Sequence, residues 1–498
     1  MKSAAIGSTG LHLMLLLAGV LFPRHLAAQQ PASASSGSGL PPTVTAFGSV
    51  RTRLESWDWF DAGTSGAYTY SGSTVRAGLR GSRSRYNWQV ELAAPILLGL
   101  PTDAVLPNPQ GQLGFGAAYF AANSGRRNTS LPFLKQAFVR FRGSRGTAQE
   151  SLTIGRMDFT EGTETTDADT TLAALKRDRI QQRLIGNFGF THVGRSFDGV
   201  QYALDWPGMN LTVFAARPTR GVFQVDGWGD LNVNVFYGAL TKDISRSKGA
   251  AEWRVFAIGY NDYRDGVLKT DNRPLTARQT DRNRINLATV GGHYIETIKS
   301  GSGSVDLLFW GALQGGSWGA LAQRSGAVAI EAGFQPSIWR PIRPWFRAGW
   351  NYASGDGNPN DGVHGTFFQL LPTPRGYARF PFFNMMNSSD VFGEAILRPA
   401  RRVTIHTDIH SLRLANRNDL WYVGGGAFQP WTFGYTGRPS GGQSGLVTLY
   451  DVSVDYGLSD HLSMSFYWAH ARGKAVVKNI YSGDGRANLG FVELDYRF

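Results

Sequence analysis

Arginine is the residue type whose placement says most about chemistry in this chain. Arg51, Arg53, Arg76, Arg80, Arg140, Arg142, Arg156, Arg343 and Arg347 sit in or beside stretches where polar and apolar residues alternate. A guanidinium stays charged at any biological pH and grips carboxylates with two parallel hydrogen bonds. Cations repeated along one stripe form a series of modest sites that a polyanion can traverse without being trapped. Glu55, Glu91, Glu331, Asp451 and Glu493 fall on the same stripes and are expected to pair with some of the arginines. A second cationic cluster, Lys176, Arg177, Arg179 and Arg183 within 174–186, suits either a constriction element or a solvated external loop.

Other constellations carry less. Asp356, Asn358 and Asp361 lie in the Gly-rich run 355–362 and could ligate calcium. Their spacing departs from the EF-hand pattern and lacks its final Glu, which favours a polar turn. His406, Asp408 and His410 share one face of a strand, where a polar wall outweighs a metal site. Glu161 with Glu164, or Asp167 with Asp169, could form a carboxylate pair for glycoside chemistry, but loop acids are common. No nucleophile triad or phosphate-binding glycine loop is visible, so an enzyme is not expected.

The elements that must position these groups are strands. Val75, Ala77 and Leu79 alternate with Thr74, Arg76 and Arg80, and Phe346, Ala348, Trp350 and Tyr352 alternate with Arg347 and Asn351. About eighteen such segments recur, each near the ~9–11 residues of a tilted membrane strand. They include 43–56, 67–81, 197–206, 251–262, 402–413 and 488–498. Short connections such as Pro207-Gly208 and Ser459-Asp460 alternate with long ones at 96–133, 158–196, 355–389 and 414–445. That asymmetry is the layout of an outer-membrane barrel with short periplasmic turns and long external loops. A charged side chain facing mid-membrane lipid costs ~2–4 kcal/mol, so the arginine stripe must face the lumen. A barrel this wide leaves an aqueous channel that only inward-folded loops can narrow. Loops 158–196 and 355–389 are the candidates. Trp57, Trp59, Trp345, Trp350, Trp468 and Tyr496 lie near strand ends, where interfacial aromatic girdles belong.

Composition agrees. The chain has 62 Gly, 14 Trp, no Cys and a formal charge of +13, with charged residues at 17%. Without Cys there is no disulfide framework and no thiolate metal site. The basic excess points to anionic partners, and an exported chain without a nucleic-acid module is not expected to bind nucleic acid. Residues 1–28 carry a basic start, a short apolar run and a small-residue cleavage site, and are expected to be an export signal. A flexible leader at 29–42 precedes the barrel, expected over 43–498. In the last segment Val492, Leu494, Tyr496 and Phe498 alternate with Glu493, Asp495 and Arg497, a closing strand of the kind barrel assembly machinery recognises.

Four blocks resemble the alginate export family of outer-membrane barrels. They are Arg51–Phe60; Gln136–Arg140 followed by Leu152–Arg156; Arg195–Val200; and Tyr352–Gly357 leading into Gly365–Thr373. The resemblance spans most of 43–498. It implies an eighteen-stranded monomer with an electropositive pore for a uronate polymer, and it places Arg51, Arg53, Arg140 and Arg156 in family-like segments. The expectation is therefore an all-β transmembrane barrel, in contact with outer-membrane lipid and lipopolysaccharide, passing an anionic, alginate-like polysaccharide without a cofactor. The alternatives are a general or uptake porin for small anions or oligosaccharides, and an adhesive barrel whose loops bind a partner.

Overall fold

The computed structural model describes residues 43–63, 66–339 and 341–498. The expected export signal and leader lie outside the described residues. Eighteen long strands close into one antiparallel barrel, each paired with its neighbours in chain order. They are β1 (Thr43–Asp58), β2 (Ala67–Ser82), β3 (Tyr86–Leu98), β4 (Phe133–Arg145), β5 (Ala148–Met157) and β6 (Phe197–Trp206). Next come β7 (Met209–Pro218), β8 (Val233–Arg246), β9 (Gly249–Asp262), β10 (Ile285–Ser300), β11 (Gly303–Trp318) and β12 (Leu321–Pro336). The last are β13 (Trp345–Ala353), β14 (Ser388–Ala400), β15 (Val403–Arg413), β16 (Gly445–Gly457), β17 (Leu462–Gly473) and β18 (Arg486–Arg497). Closure is made by β1 against β18, in register from Ser49 opposite Arg497 to Asp58 opposite Asn488.

The two faces differ as the alternation requires. Leu54, Leu79, Val90, Val255, Val290, Leu313, Val391, Ile409 and Phe466 are exposed on the outside, and a wall of this kind is stable only against hydrocarbon. Arg53, Glu55, Glu91, Glu252, Arg254, Glu331 and Arg347 are buried inside. Trp350, Trp468 and Tyr496 point outward, as expected of girdle residues. Trp57, Trp59 and Trp345 do not. They are buried in the interior, because Trp57 continues the inward parity of Arg53 and Glu55, and Trp345 that of Arg347.

Short turns alternate with long external connections at 99–132, 158–196, 263–284, 354–387 and 414–444. The break in this rhythm is at β11–β12, where the external connection is only 319–320. There the external end of β12 continues beyond β13 and is covered by Val363–His364, which pairs parallel to Ala322 and Gln323.

The long connections turn inward and fill the middle of the barrel. Phe367, Phe368, Leu370 and Leu371, with Phe380, Phe382 and Phe383, are all buried. Trp59 stacks on Phe380 at 5.7 Å, and Phe382 stacks on Trp421 at 4.9 Å. Burying a phenylalanine gains ~1.5–3 kcal/mol, so the segment has strong reason to leave water. The loop 158–196 docks directly on the wall: Arg51 donates to Gly189 O at 2.6 Å and to Thr191 O, and Thr74 Oγ1 donates to His192 O at 2.7 Å. Gly72 makes this docking possible, since a Cβ there would lie 2.2 Å from His192 Nε2.

Substituting Gly72→Val should therefore undock loop 158–196 while leaving the strands paired. Hydrogen exchange over 187–194 is expected to accelerate with the heat-modifiable gel shift of the barrel retained. Unchanged exchange would contradict the docking described.

Candidate functional site

The wall arginines fall into two electrostatic classes. Arg53 is paired with Glu493 at 2.7 Å and lies 3.9 Å from Glu55, whose carboxylate also accepts from Tyr70. Arg76 lies 3.8 Å from Glu91, and Arg51 lies 3.7 Å from Glu493 while holding the loop carbonyls. Arg347 donates to Glu331 at 2.9 Å. By contrast, Arg80, Arg140 and Arg142 have no ion pair among the described residues. Arg80 lies over the Phe47 ring, Arg140 donates to Thr153 Oγ1 at 2.9 Å, and Arg142 is exposed near the periplasmic end of β4.

The cationic loop cluster folds into the lumen. The helix α1 (Phe115–Ala122) lies in connection 99–132, and α2 (Thr170–Leu175) starts the inward segment, N-capped by Asp169, which accepts from Thr171 N and Leu172 N. A π-helical turn, Lys176–Ile180, follows. Lys176 Nζ donates to Glu252 at 2.6 Å, and Arg179 grips Glu331 with two hydrogen bonds at 2.8 and 2.9 Å. Arg183 adds a third guanidinium to Glu331 at 3.0 Å. Burial disfavours the charge on Arg179, yet the Glu331 carboxylate more than offsets this and holds its pKa above the usual arginine range. Arg177 remains largely exposed, and among the described residues its guanidinium bonds only Asp178. Three of the four cluster cations are thus latches to the wall or to its buried acids, and only Arg177 stays presented to water.

Further guanidiniums without a carboxylate sit in the infolded segments, where the alternation gives no signal. Arg195 donates to Pro372 O and Gly426 O. Arg375 donates to the carbonyls of Ala378, Phe380 and Phe383. Arg438 bonds the Tyr481 hydroxyl and lies over the Trp421 ring. Burial lowers the pKa of Arg195 to about 9 and of Arg375 to about 10, so both are cations at neutral pH. Two cavities meet at Arg375. One, of about 340 Å³, lies among external segments and is also lined by Trp421, Trp431 and Arg438. The other, of about 460 Å³, lies towards the periplasmic ends of β14–β16 and is lined by Arg177, Arg179, Arg379, Arg398, Glu394, His406, Asp408 and Asp451. In that cavity Glu394, Asp408 and Asp451 stand directly opposite one another across β14, β15 and β16.

Several expected groups lie elsewhere. Arg343 is in the turn between β12 and β13, exposed and donating to Arg398 O, rather than on the pore wall. Arg156 shares the outward parity of Ile154 and is held at the external rim by Asp198 in a two-bond pair, with Gly227 O and Trp228 O. Asp356, Asn358 and Asp361 accept from the backbone N–H two residues on, at 3.0, 3.1 and 2.9 Å, a run of Asx turns and not a converged ligand set. Among the described residues the converged acidic group is Asp167, Asp243 and Glu252, and the Lys176 ammonium already lies against two of them. Glu161 and Glu164 are both bound by Arg254, and His410 is bound by Asp390 at 2.9 Å.

A closed barrel with an apolar outer belt, long infolded loops and charged internal cavities defines an outer-membrane channel of the porin type. The family model for alginate export matches residues 45–479, so the chain belongs to the alginate export family and is located in the Gram-negative outer membrane, in contact with its lipid. No curated protein matches the sequence. Solved structures similar to the chain include OccAB2 of Acinetobacter baumannii, with a TM-score of 0.55 and 9% identity over 91% of this chain and 98% of that one. A BenF-like porin from Pseudomonas fluorescens Pf-5 is similar with a TM-score of 0.55 and 8% identity over 91% and 98%. Pseudomonas aeruginosa OccK2 (OpdF), solved in complex with glucuronate, is similar with a TM-score of 0.53 and 9% identity over 91% and 96%. At such identity these likenesses concern the fold alone. Family and fold are those of transport channels, which are not enzymes.

Replacing Glu331→Gln leaves Arg179, Arg183 and Arg347 buried around a neutral amide. Breaking a buried pair costs ~3–5 kcal/mol, so the inward turn should loosen. Faster exchange over 174–186 and larger single-channel conductance are expected, and wild-type values of both would contradict the latch.

Proposed function

We propose that this chain passes an anionic, uronate-type polysaccharide passively across the outer membrane. The observation that carries the reading is Arg375, a buried cation with no carboxylate partner among the described residues, standing where the external and periplasmic cavities meet. A buried, uncompensated charge is costly, and an anion passing beside it lowers that cost. Arg80, Arg140, Arg142, Arg177 and Arg379 add cationic surface along the lumen, so a carboxylate leaving one site finds the next. Family membership supports the choice of polymer class. No ATP motif is present in the sequence, which agrees with movement driven by synthesis or by the gradient.

A second reading, a porin for small anions or oligosaccharides, is favoured by the cavity volumes. About 340 and 460 Å³ fall in the range of small-molecule sites. OccK2, a barrel of the same fold, has been solved with glucuronate, a single uronate unit. Liposome swelling by neutral sugars at rates set only by size would support this reading against the first.

In planar bilayers under a KCl gradient, the reversal potential should report anion preference, and soluble polyuronate should reduce the current. Arg375→Gln should lower the anion-to-cation permeability ratio at least about twofold, given one charge of a few where the two cavities share a lining residue. The preference should persist from pH 6 to 8 and fall as pH rises through about 10, where Arg375 loses its proton. Cation preference at pH 7, with no effect of polyuronate, would overturn the reading.

A further inference from the structure

The outward face of the barrel carries a separate group of cations, on the side of the wall that does not meet the lumen. Along β17 the outward residues run Phe466, Trp468, His470 and Arg472, while Tyr467, Ala469 and Ala471 between them are buried. Phe466 belongs to the hydrocarbon belt, and Trp468 stacks with His470 at 6.1 Å, at the level of an aromatic girdle. Arg472 is therefore one step above the girdle, where lipid head groups begin. Arg486 of β18 lies directly opposite it and is also exposed. Like charges directly opposite on neighbouring strands repel. In the other direction the same row runs through Thr448 of β16 to Ser411 of β15. Lys474 reaches back over this row and donates to Ser411 Oγ at 3.0 Å. Arg413 is exposed two residues further out on β15. Partial burial and the nearby Arg413 both lower the Lys474 pKa, as expected where cations gather without a counter-ion. Arg413, Arg472 and Lys474 have no carboxylate partner among the described residues. Arg486 has Asp484 at 3.6 Å, with the two side chains 63% and 64% exposed, and such a pair neutralises little.

We propose that the external ends of β15–β18 dock the phosphorylated head group of an outer-leaflet glycolipid, a lipopolysaccharide, on the outside of the barrel. The site is independent of what passes through the pore. Place, charge and width agree. The cations continue the lipid-facing belt of Ile409, Tyr450, Phe466 and Val492 towards the outside, so what covers them is seated in the membrane. Guanidiniums fork onto phosphate oxygens, and a phosphate between Arg472 and Arg486 replaces their repulsion with two charge-assisted pairs. Arg413 and Lys474 stand over β15, three strand spacings or ~14 Å from Arg486. A disaccharide head group with a phosphate at each end spans such a row, and a lipid with a single phosphodiester does not. The carboxylates of a polymer in transit are on the opposite side of this wall.

The test uses the full chain refolded into detergent micelles free of lipopolysaccharide, with bound lipid counted by native mass spectrometry. The probes are bisphosphorylated lipid A, dephosphorylated lipid A with the same acyl chains, and phosphatidylglycerol, with soluble polyuronate as competitor. Bisphosphorylated lipid A should bind at least about tenfold more tightly than either other lipid, as expected for the loss of charge-assisted contacts. That comparison is made on the wild-type chain and needs no variant. Arg472→Gln with Arg486→Gln should weaken lipid A binding about tenfold or more, and Arg413→Gln severalfold. Arg401→Gln, exposed in the periplasmic turn between β14 and β15, should leave it unchanged. All these positions but Lys474 are exposed, and the heat-modifiable gel shift reports that each variant has closed its barrel. The proposal is overturned if dephosphorylated lipid A or phosphatidylglycerol binds as tightly as the bisphosphorylated form. It is equally overturned if the double substitution keeps wild-type affinity, if Arg401→Gln lowers affinity as much, or if polyuronate of equal charge displaces lipid A.

Discussion

Hydrocarbon offers no partner to a backbone N–H or C=O, and everything else in this molecule follows from that. A sheet edge in lipid costs several kcal/mol per unpaired group, so β1 must find β18 and the barrel must close. Closure at eighteen strands makes a lumen that wall side chains cannot fill. The external connections therefore turn inward, and their aromatic residues build a core inside the barrel where a soluble protein would have one between layers. The wall presents one face to lipid and the other to this inner core, which is why Glu331 and Arg254 are buried although they lie on the polar stripe.

Burial sorts the arginines. A guanidinium next to a wall carboxylate, such as Arg53 on Glu493 or Arg179 and Arg183 on Glu331, is neutralised and serves to position a loop. A guanidinium held only by carbonyls or a hydroxyl, such as Arg195, Arg375 or Arg438, keeps its field. Counting arginines on the lumenal stripe overstates the first class as a path for anions and leaves out the members of the second that lie in loops. The difference lies in the partners, and those of Arg53, Arg179 and Arg183 come from segments more than a hundred residues away in the chain.

That contrast also explains what the sequence discloses. Strands were legible because lipid and lumen impose opposite polarity at period two, and the span 197–206 coincides with β6. The expectations fell short at the external ends, where the contrast fades. The segment expected over 43–56 runs on to Asp58 in β1, and the one expected over 488–498 begins already at Arg486 in β18. Parity already held the answer for Trp57, which is in phase with Arg53 and Glu55, and for Arg156, in phase with Ile154. Arg375, Arg438 and Trp431 gave no such signal. They lie in loops without periodicity, and only the packing of one long connection on another brings them together. The infolding of 158–196 and 355–389 was expected from barrel width, but which of their cations would be neutralised depended on acids distributed over β9 and β12.

The external loop 158–196 descends through the barrel until Arg177 reaches the cavity at the periplasmic ends of β14–β16. The chain has no Cys, so spin labels can be placed at Arg177→Cys and Asp460→Cys alone, both exposed positions, the latter in the periplasmic turn before β17. Electron–electron dipolar spectroscopy in lipid vesicles should give one short, narrow distance distribution. A broad distribution, or one centred at a separation that spans the membrane, would place the loop outside the lumen and contradict the account.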